Sequence, residues 1–254
     1  MKGFAAFLGK ELWEIRRTWR VWVVPGVVLC FAFTSPILAY VTPHVVASMV
    51  KSQPGLTIIL PPATWADAYS QFLKNMSQIA LLVVAIAGAG AVSGERAAGT
   101  AILTLTKPVS RTAFVAAKVL SQSLLIVASA SLGSAICAAV TAAIFGPAPV
   151  SRLVLAVILW VVQALLLVGV VTLFSAWFTA RGAAAGAGIG FLYLGLLVSL
   201  WPAATRYSFV GLIPAAGKVL SGQPVDPFWP VATGVVAAIA FAAGAAAVFE
   251  RQEL

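Results

Sequence analysis

Charge is what this 254-residue sequence has least of: Asp, Glu, Lys and Arg make up 9% of it, with seven acidic residues, sixteen basic ones and a single histidine. A soluble globular surface carries about 25% charged residues, so that class is excluded. The two cysteines, Cys30 and Cys137, both fall inside apolar runs. They read as small hydrophobes rather than as a disulfide or part of a metal site. His44 has no Cys or carboxylate cluster near it in sequence and reads as an ordinary external-loop or interface histidine. Acidic groups are missing from the middle of every long apolar run. Charge at membrane depth is retained where a proton, ion or substrate uses it, so this absence argues against an ion-coupled carrier. An intramembrane hydrolase needs a nucleophile with a base or a metal, and none is visible.

What is present in quantity is hydrophobic residue, 61% of the chain with a mean hydropathy of +1.03. A spanning helix needs about 20 mainly apolar residues. Six stretches qualify, at 21–41, 76–93, 119–145, 153–178, 183–201 and 231–249. The chain reads as an all-α integral membrane protein with six transmembrane helices. Thr64-Trp65-Ala66-Asp67 has the form of a capping box after Pro61-Pro62, so the second span is expected to begin earlier than its apolar core. The third run, from Thr112, is longer than a bilayer requires and should tilt or project.

The formal net charge of +9 does not point to nucleic acid, because the basic residues cluster at the ends of apolar runs, where lipid and orientation rules account for them. Placing the N-terminus in the cytoplasm puts Lys2, Lys10, Arg16, Arg17, Arg20, Arg96, Lys107, Arg111, Lys118, Arg181 and Arg251 inside, against Lys51, Lys74, Arg152, Arg206 and Lys218 outside. That asymmetry predicts a multi-pass protein of the cytoplasmic membrane with both termini cytoplasmic. The start MKGFAAFLGKELWEIRRTWR mixes both charge signs, and no removable signal peptide is expected. The external connections, 42–64 and 202–229, are rich in Pro and Gly yet carry apolar residues, which predicts packed caps or short re-entrant helices.

Ahead of the first span, Phe4, Leu8, Leu12, Ile15, Trp19 and Trp22 share one stripe at helical spacing and the basic residues share the opposite arc. Residues 1–20 read as an amphipathic interfacial helix and 21–254 as the membrane domain. Glu11 lies inside the apolar arc and Trp13 inside the basic one, two exceptions to the pattern. Other motifs fail on inspection. The segment from Gly211 to Lys218 has the wrong glycine spacing for a phosphate loop and Val219 in place of Ser or Thr. Asn75-Met76-Ser77 matches a glycosylation sequon but sits where a span begins. Gly182, Gly186 and Gly190 form small-xxx-small repeats that suit either packing within the chain or a dimer face. Gln163 and Thr172 could line a pathway, though interhelical hydrogen bonding is the simpler reading.

The stretch SGERAAGTAILTLTKPVSR, residues 93–111, breaks the apolar pattern between spans two and three. Gly94 and Gly99 permit turns, Thr100 can cap a short helix over 101–106, Pro108 ends it, and Ser110 can cap the third span. A surface helix with Ile102, Leu103 and Leu105 as apolar knobs and Glu95, Arg96, Lys107 and Arg111 at its ends suits a groove on a soluble partner.

This run resembles the GE-R/K-x-x-GT…P-V/I-S-R signature of ABC-2 type permeases, the membrane subunits of ATP-binding-cassette transporters. Gly94, Glu95, Arg96, Gly99, Thr100, Pro108, Val109, Ser110 and Arg111 coincide with it, while Ala101 and Ile102 stand where many relatives carry an acidic residue. KELWEIRR is similar to the family's elbow helix, with Glu11, Glu14 and Arg17 in place, and the likeness extends over essentially the whole chain. The first external segment, LPPATWADAYSQFLKN, most resembles the multicopper-maturation and sodium-export branch.

The resemblance implies an amphipathic elbow helix over 1–20, six spans, and a cytoplasmic coupling helix between spans two and three. ATPase coupling would fall to Glu95, Arg96, Gly99, Thr100, Ile102, Leu103, Pro108 and Arg111, with elbow contacts at Glu11, Glu14 and Arg17. It implies no ATPase site in this chain, ATP and Mg bound by a separate cytoplasmic ABC ATPase, and a second permease as homo- or heterodimer partner within membrane lipid. Export of an amphipathic or lipid-like solute is the expected activity. A non-transporting scaffold that docks another soluble protein is the alternative.

Overall fold

The computed structural model describes residues 2–51, 62–99 and 110–251. Its helices are α1 (Lys2–Arg17), α2 (Arg20–Lys51), α3 (Trp65–Asn75), α4 (Leu81–Gly88), α5 (Ser93–Ala97), α6 (Arg111–Phe145), α7 (Val150–Trp177), α8 (Arg181–Val198), α9 (Pro202–Tyr207), α10 (Leu212–Leu220) and α11 (Phe228–Glu250). A π-helical turn, Met76–Ala80, joins α3 to α4, and a 3-10 turn, Phe209–Gly211, precedes α10. Among the described residues six helical stretches are long and apolar enough to cross a membrane: Val21–Ser48, Trp65–Ala97, Arg111–Phe145, Val150–Trp177, Arg181–Val198 and Phe228–Glu250.

Two starts follow the local sequence closely. The Asp67 carboxylate accepts from both the backbone amide and the hydroxyl of Thr64, each at 2.8 Å, and opens the second span at Trp65. Ser110 Oγ accepts from the Ala113 amide at 3.1 Å and caps α6.

The first span departs from expectation. It runs as helix through Pro25, Pro36 and Pro43 to Lys51, so the expected connection from residue 42 is helical at its start. In an apolar medium an open backbone costs more than a proline within a helix. Thr42 Oγ1 donates to the Leu38 carbonyl at 2.6 Å and His44 Nδ1 to the Tyr40 carbonyl at 2.9 Å. His44 therefore belongs to a helix rather than a loop. The apolar run 56–60 lies outside the described residues.

α7 is the most deeply buried of the six spans and α8 the least. α11, α10, α6, α8 and α4 pack around α7, while α2 lies along α6 and α3. The α7–α11 crossing depends on glycine. A Cβ on Gly169 of α7 would lie 2.9 Å from the Ala238 carbonyl of α11, a backbone atom that cannot move aside cheaply. The segment 202–220 forms two short helices, and α10 buries Leu212, Ala215, Ala216, Val219 and Leu220, as its apolar composition predicted. Gly182, Gly186 and Gly190 have no atom of the described residues within 4 Å of where a Cβ would stand, so packing among those residues does not use them. Gln163 and Thr172 make no hydrogen bond among the described residues, so interhelical hydrogen bonding is not their role here.

Candidate functional site

The second span ends in a sharp turn into α5, and that turn is pinned to the end of α7 by one hydroxyl. Ser175 Oγ accepts from the amides of Val92, at 3.0 Å, and Ser93, at 3.1 Å, and donates to the Ala89 carbonyl at 2.6 Å. Where the helix breaks, two amides lose their intrahelical acceptors, and the buried Ser175 hydroxyl replaces them. Arg96 donates to the Ala176 carbonyl at 2.9 Å, satisfying a carbonyl in the last turn of α7. Gly94 lets the Arg181 guanidinium approach, with its Nη2 donating to the Gly94 carbonyl at 3.4 Å. Gly99 closes the turn with a φ of 68°, the left-handed region that glycine adopts without strain.

α5 also delivers Glu95 to a charge cluster inside the protein. The Lys118 ammonium of α6, only 4% exposed, lies 2.6 Å from Glu95 Oε1 and 3.0 Å from Glu11 Oε2. Lys10 Nζ lies 2.7 Å from Glu14 Oε2, 3.1 Å from Glu11 Oε1 and 3.4 Å from Glu95 Oε1. Three carboxylates and two ammonium groups thus join α1, α5 and α6. Partial burial disfavours the Lys10 charge, but Glu14, Glu11 and Glu95 outweigh it and hold its pKa above the ordinary lysine range.

Aromatic rings back the cluster. Phe7, Phe114 and Phe249 stack in sequence, with centroids 5.3 and 5.1 Å apart, and bind α1, α6 and α11 together. Lys118 Nζ stands 4.8 Å from the Phe114 centroid. Arg111 donates to the carbonyls of Phe249, at 3.2 Å, and Glu250, at 2.9 Å, so the start of α6 caps the end of α11.

The expected stripe on α1 is shifted by this arrangement. Its buried positions are Phe7, Glu11 and Ile15, whereas Trp19 and Trp22 are exposed, because the helix ends at Arg17 and the chain turns at Thr18. Lys118 supplies the reason that Glu11 can occupy the apolar arc. Glu14 stays half exposed, and Arg17 stacks on Trp13 at 3.9 Å, away from the cluster. Of the residues singled out from the sequence, Glu11, Glu14 and Glu95 meet at one point, and Arg96 and Arg111 engage carbonyls of α7 and α11. Thr100, Ile102, Leu103 and Pro108 lie outside the described residues. Lys118 and Ser175 were not singled out. Glu11 in an apolar arc was the signal for the first, and no sequence signal marks the second.

Glu11, Glu14 and Glu95 also bring one carboxylate oxygen each within 4.8 Å of one another, a spacing that a cation could bridge. The ammonium groups of Lys10 and Lys118 occupy that role. The cluster can fasten, transmit or release.

Six helices able to span a membrane thus carry, at one end, a polar junction that joins α1, α5 and α6. The chain belongs to the ABC-2 family of transporter proteins, whose family model matches residues 5–227. It is 23% identical over 256 residues to the uncharacterized transmembrane protein YxlG of Bacillus subtilis (strain 168), covering 100% of this chain and 99% of that one. It is a multi-pass membrane permease of an ABC transporter.

Proposed function

We propose that this permease is driven by a separate cytoplasmic ABC ATPase, and that the charge cluster of Lys118 with Glu11 and Glu95 carries the ATPase movement into the spans. In this reading residues 1–20 are the elbow helix, 21–254 the transmembrane domain, and both termini are cytoplasmic. The ATPase, holding ATP and Mg, would press on the segment from Glu95 to Arg111, which includes Thr100, Ile102, Leu103 and Pro108. Force applied there reaches α7 through Ser175 and Arg96, α11 through Arg111, and α1 and α6 through Glu95. A segment fastened to several spans by short polar contacts moves them as one body rather than bending alone. Two such permeases with two ATPases would form the working exporter, in the multicopper-maturation and sodium-export branch that the first external segment resembles.

The observation that supports this most directly is the position of Glu95, on the family's signature segment and on the ammonium of Lys118. Co-purification from the native host, with mass spectrometry of the bound proteins, tests the partner. An ABC ATPase in stoichiometric amount is expected, and a chain that emerges without one overturns the reading. Glu95→Gln should leave the complex assembled while uncoupling ATP turnover from transport. A Thr112→Cys label in a Cys30→Ser background tests orientation: an impermeant maleimide should react only after cells are opened.

A further inference from the structure

A cavity of about 730 Å³ opens in the half of the molecule away from the charge cluster, between the π-helical turn, the far end of α8, and α10. That size is within the range of about 300–1,000 Å³ typical of small-molecule sites. Its walls are largely apolar, with Leu73, Leu82, Phe191, Leu196, Phe209 and Ile213 among them. The π-helical turn Met76–Ala80 brings Ser77 to this space, and irregular turns of this kind recur at functional sites.

Three polar groups converge on the cavity without a partner among the described residues. Gln163, midway along α7, is 8% exposed and lines the cavity, yet its amide makes no hydrogen bond. The Ser77 hydroxyl is buried and likewise unpartnered. Lys74, one turn earlier on α3, lines the same space and forms no ion pair. An unused amide facing a cavity at the middle of a span is free to bond an occupant. The lining holds one ammonium and no carboxylate, so a cationic head would meet repulsion and an anionic one a donor.

We propose that this cavity binds an amphiphile with an anionic head, its head on Lys74, Ser77 and Gln163 and its tail against the apolar walls. As the site of the transported molecule it rests on the permease reading; as a binding site it does not.

The test is native mass spectrometry of the full chain released from neutral dodecyl maltoside, titrated with dodecyl phosphate, dodecyltrimethylammonium or phosphatidylglycerol. One dodecyl phosphate per chain is expected, weakened about tenfold or more by Lys74→Gln or by Gln163→Leu. Lys218→Gln, which removes an exposed charge outside the cavity, should change nothing. Thermal unfolding of each variant verifies that it is folded. Retention of phosphatidylglycerol with the same dependence assigns the head to a bilayer lipid, and retention of dodecyl phosphate alone assigns it to a single-chain solute. Equal binding of dodecyltrimethylammonium, or unchanged affinity in both cavity variants, overturns the proposal. Because no ATPase is present, loss of the ATPase complex would leave this result standing.

Discussion

Lys118 stands between carboxylates of two different helices, 3.0 Å from Glu11 Oε2 and 2.6 Å from Glu95 Oε1, and is 4% exposed. Neither carboxylate would tolerate this burial alone, because an unpaired charge in a water-poor site loses its hydration without compensation. The pairing holds the first helix and the 93–99 turn to the third span more specifically than apolar contact could.

Removing the central ammonium should therefore cost far more than removing the whole group. Lys118→Met leaves Glu11 and Glu95 with only the partly exposed ammonium of Lys10 and should destabilise the protein by about 3–5 kcal/mol. Combining it with Glu11→Gln and Glu95→Gln should recover most of that loss. Thermal unfolding in detergent measures both. A triple variant as unstable as Lys118→Met would show that burial of the aliphatic stem, not charge pairing, dominates.

Ser175 is the next point of attachment. Ser175→Ala removes the acceptor of two backbone amides in one step and should cost about 1–3 kcal/mol. The effect should be local, with faster hydrogen exchange at Val92 and Ser93 and little change in α11. Uniformly faster exchange across all spans would instead mean that the turn is a keystone of global stability.

Much of the architecture was legible in the sequence because membrane helices obey a one-dimensional rule of length and apolarity. The Thr64–Asp67 start, the Ser110 cap and the helical packing of 202–220 are local patterns, and the structure has them. The end of the first span was misplaced because Pro43 is a stop signal in water but tolerated in a helix whose surroundings offer no other hydrogen-bond partner. The charge cluster was half visible. Glu11 stood out against the apolar arc, but its partner is 107 residues away and counted as one more basic residue at a span end. Ser175 sits in an apolar run like several other serines, and only the break in a distant helix makes it an acceptor.

The Lys10 charge adds a pH dependence whose sign follows from its environment. Its folded pKa lies above the ordinary lysine value of 10.5, so its contribution is complete below that pH and is lost as pH rises through the folded value. Glu11, Glu14 and Glu95 face it, and Lys118 shares two of the same carboxylates. Attachment of α1 should thus be insensitive to pH from neutrality to about 10 and weaken above it. Limited proteolysis between α1 and α2 reads this directly. Lys10→Arg, which keeps its charge, should move the alkaline transition upward; an unmoved transition would show that Lys10 does not set it.

The glycines separate the packed interior from the open face of α8. Gly169→Ala places a methyl 2.9 Å from the Ala238 carbonyl, and the α7–α11 crossing must widen, at a cost of about 1–3 kcal/mol. Gly186→Ala meets nothing within 4 Å and removes backbone freedom from a helix interior, so the isolated chain should gain about 0.4–1 kcal/mol. Thermal unfolding of the two variants in detergent should move in opposite directions. The comparison becomes sharper in the assembled complex. If a second permease packs on the Gly182, Gly186 and Gly190 face, Gly186→Leu should leave the monomer folded and abolish the dimer band in crosslinking. A dimer that survives Gly186→Leu places the contact between permeases elsewhere, and the exposed α8 face then meets lipid.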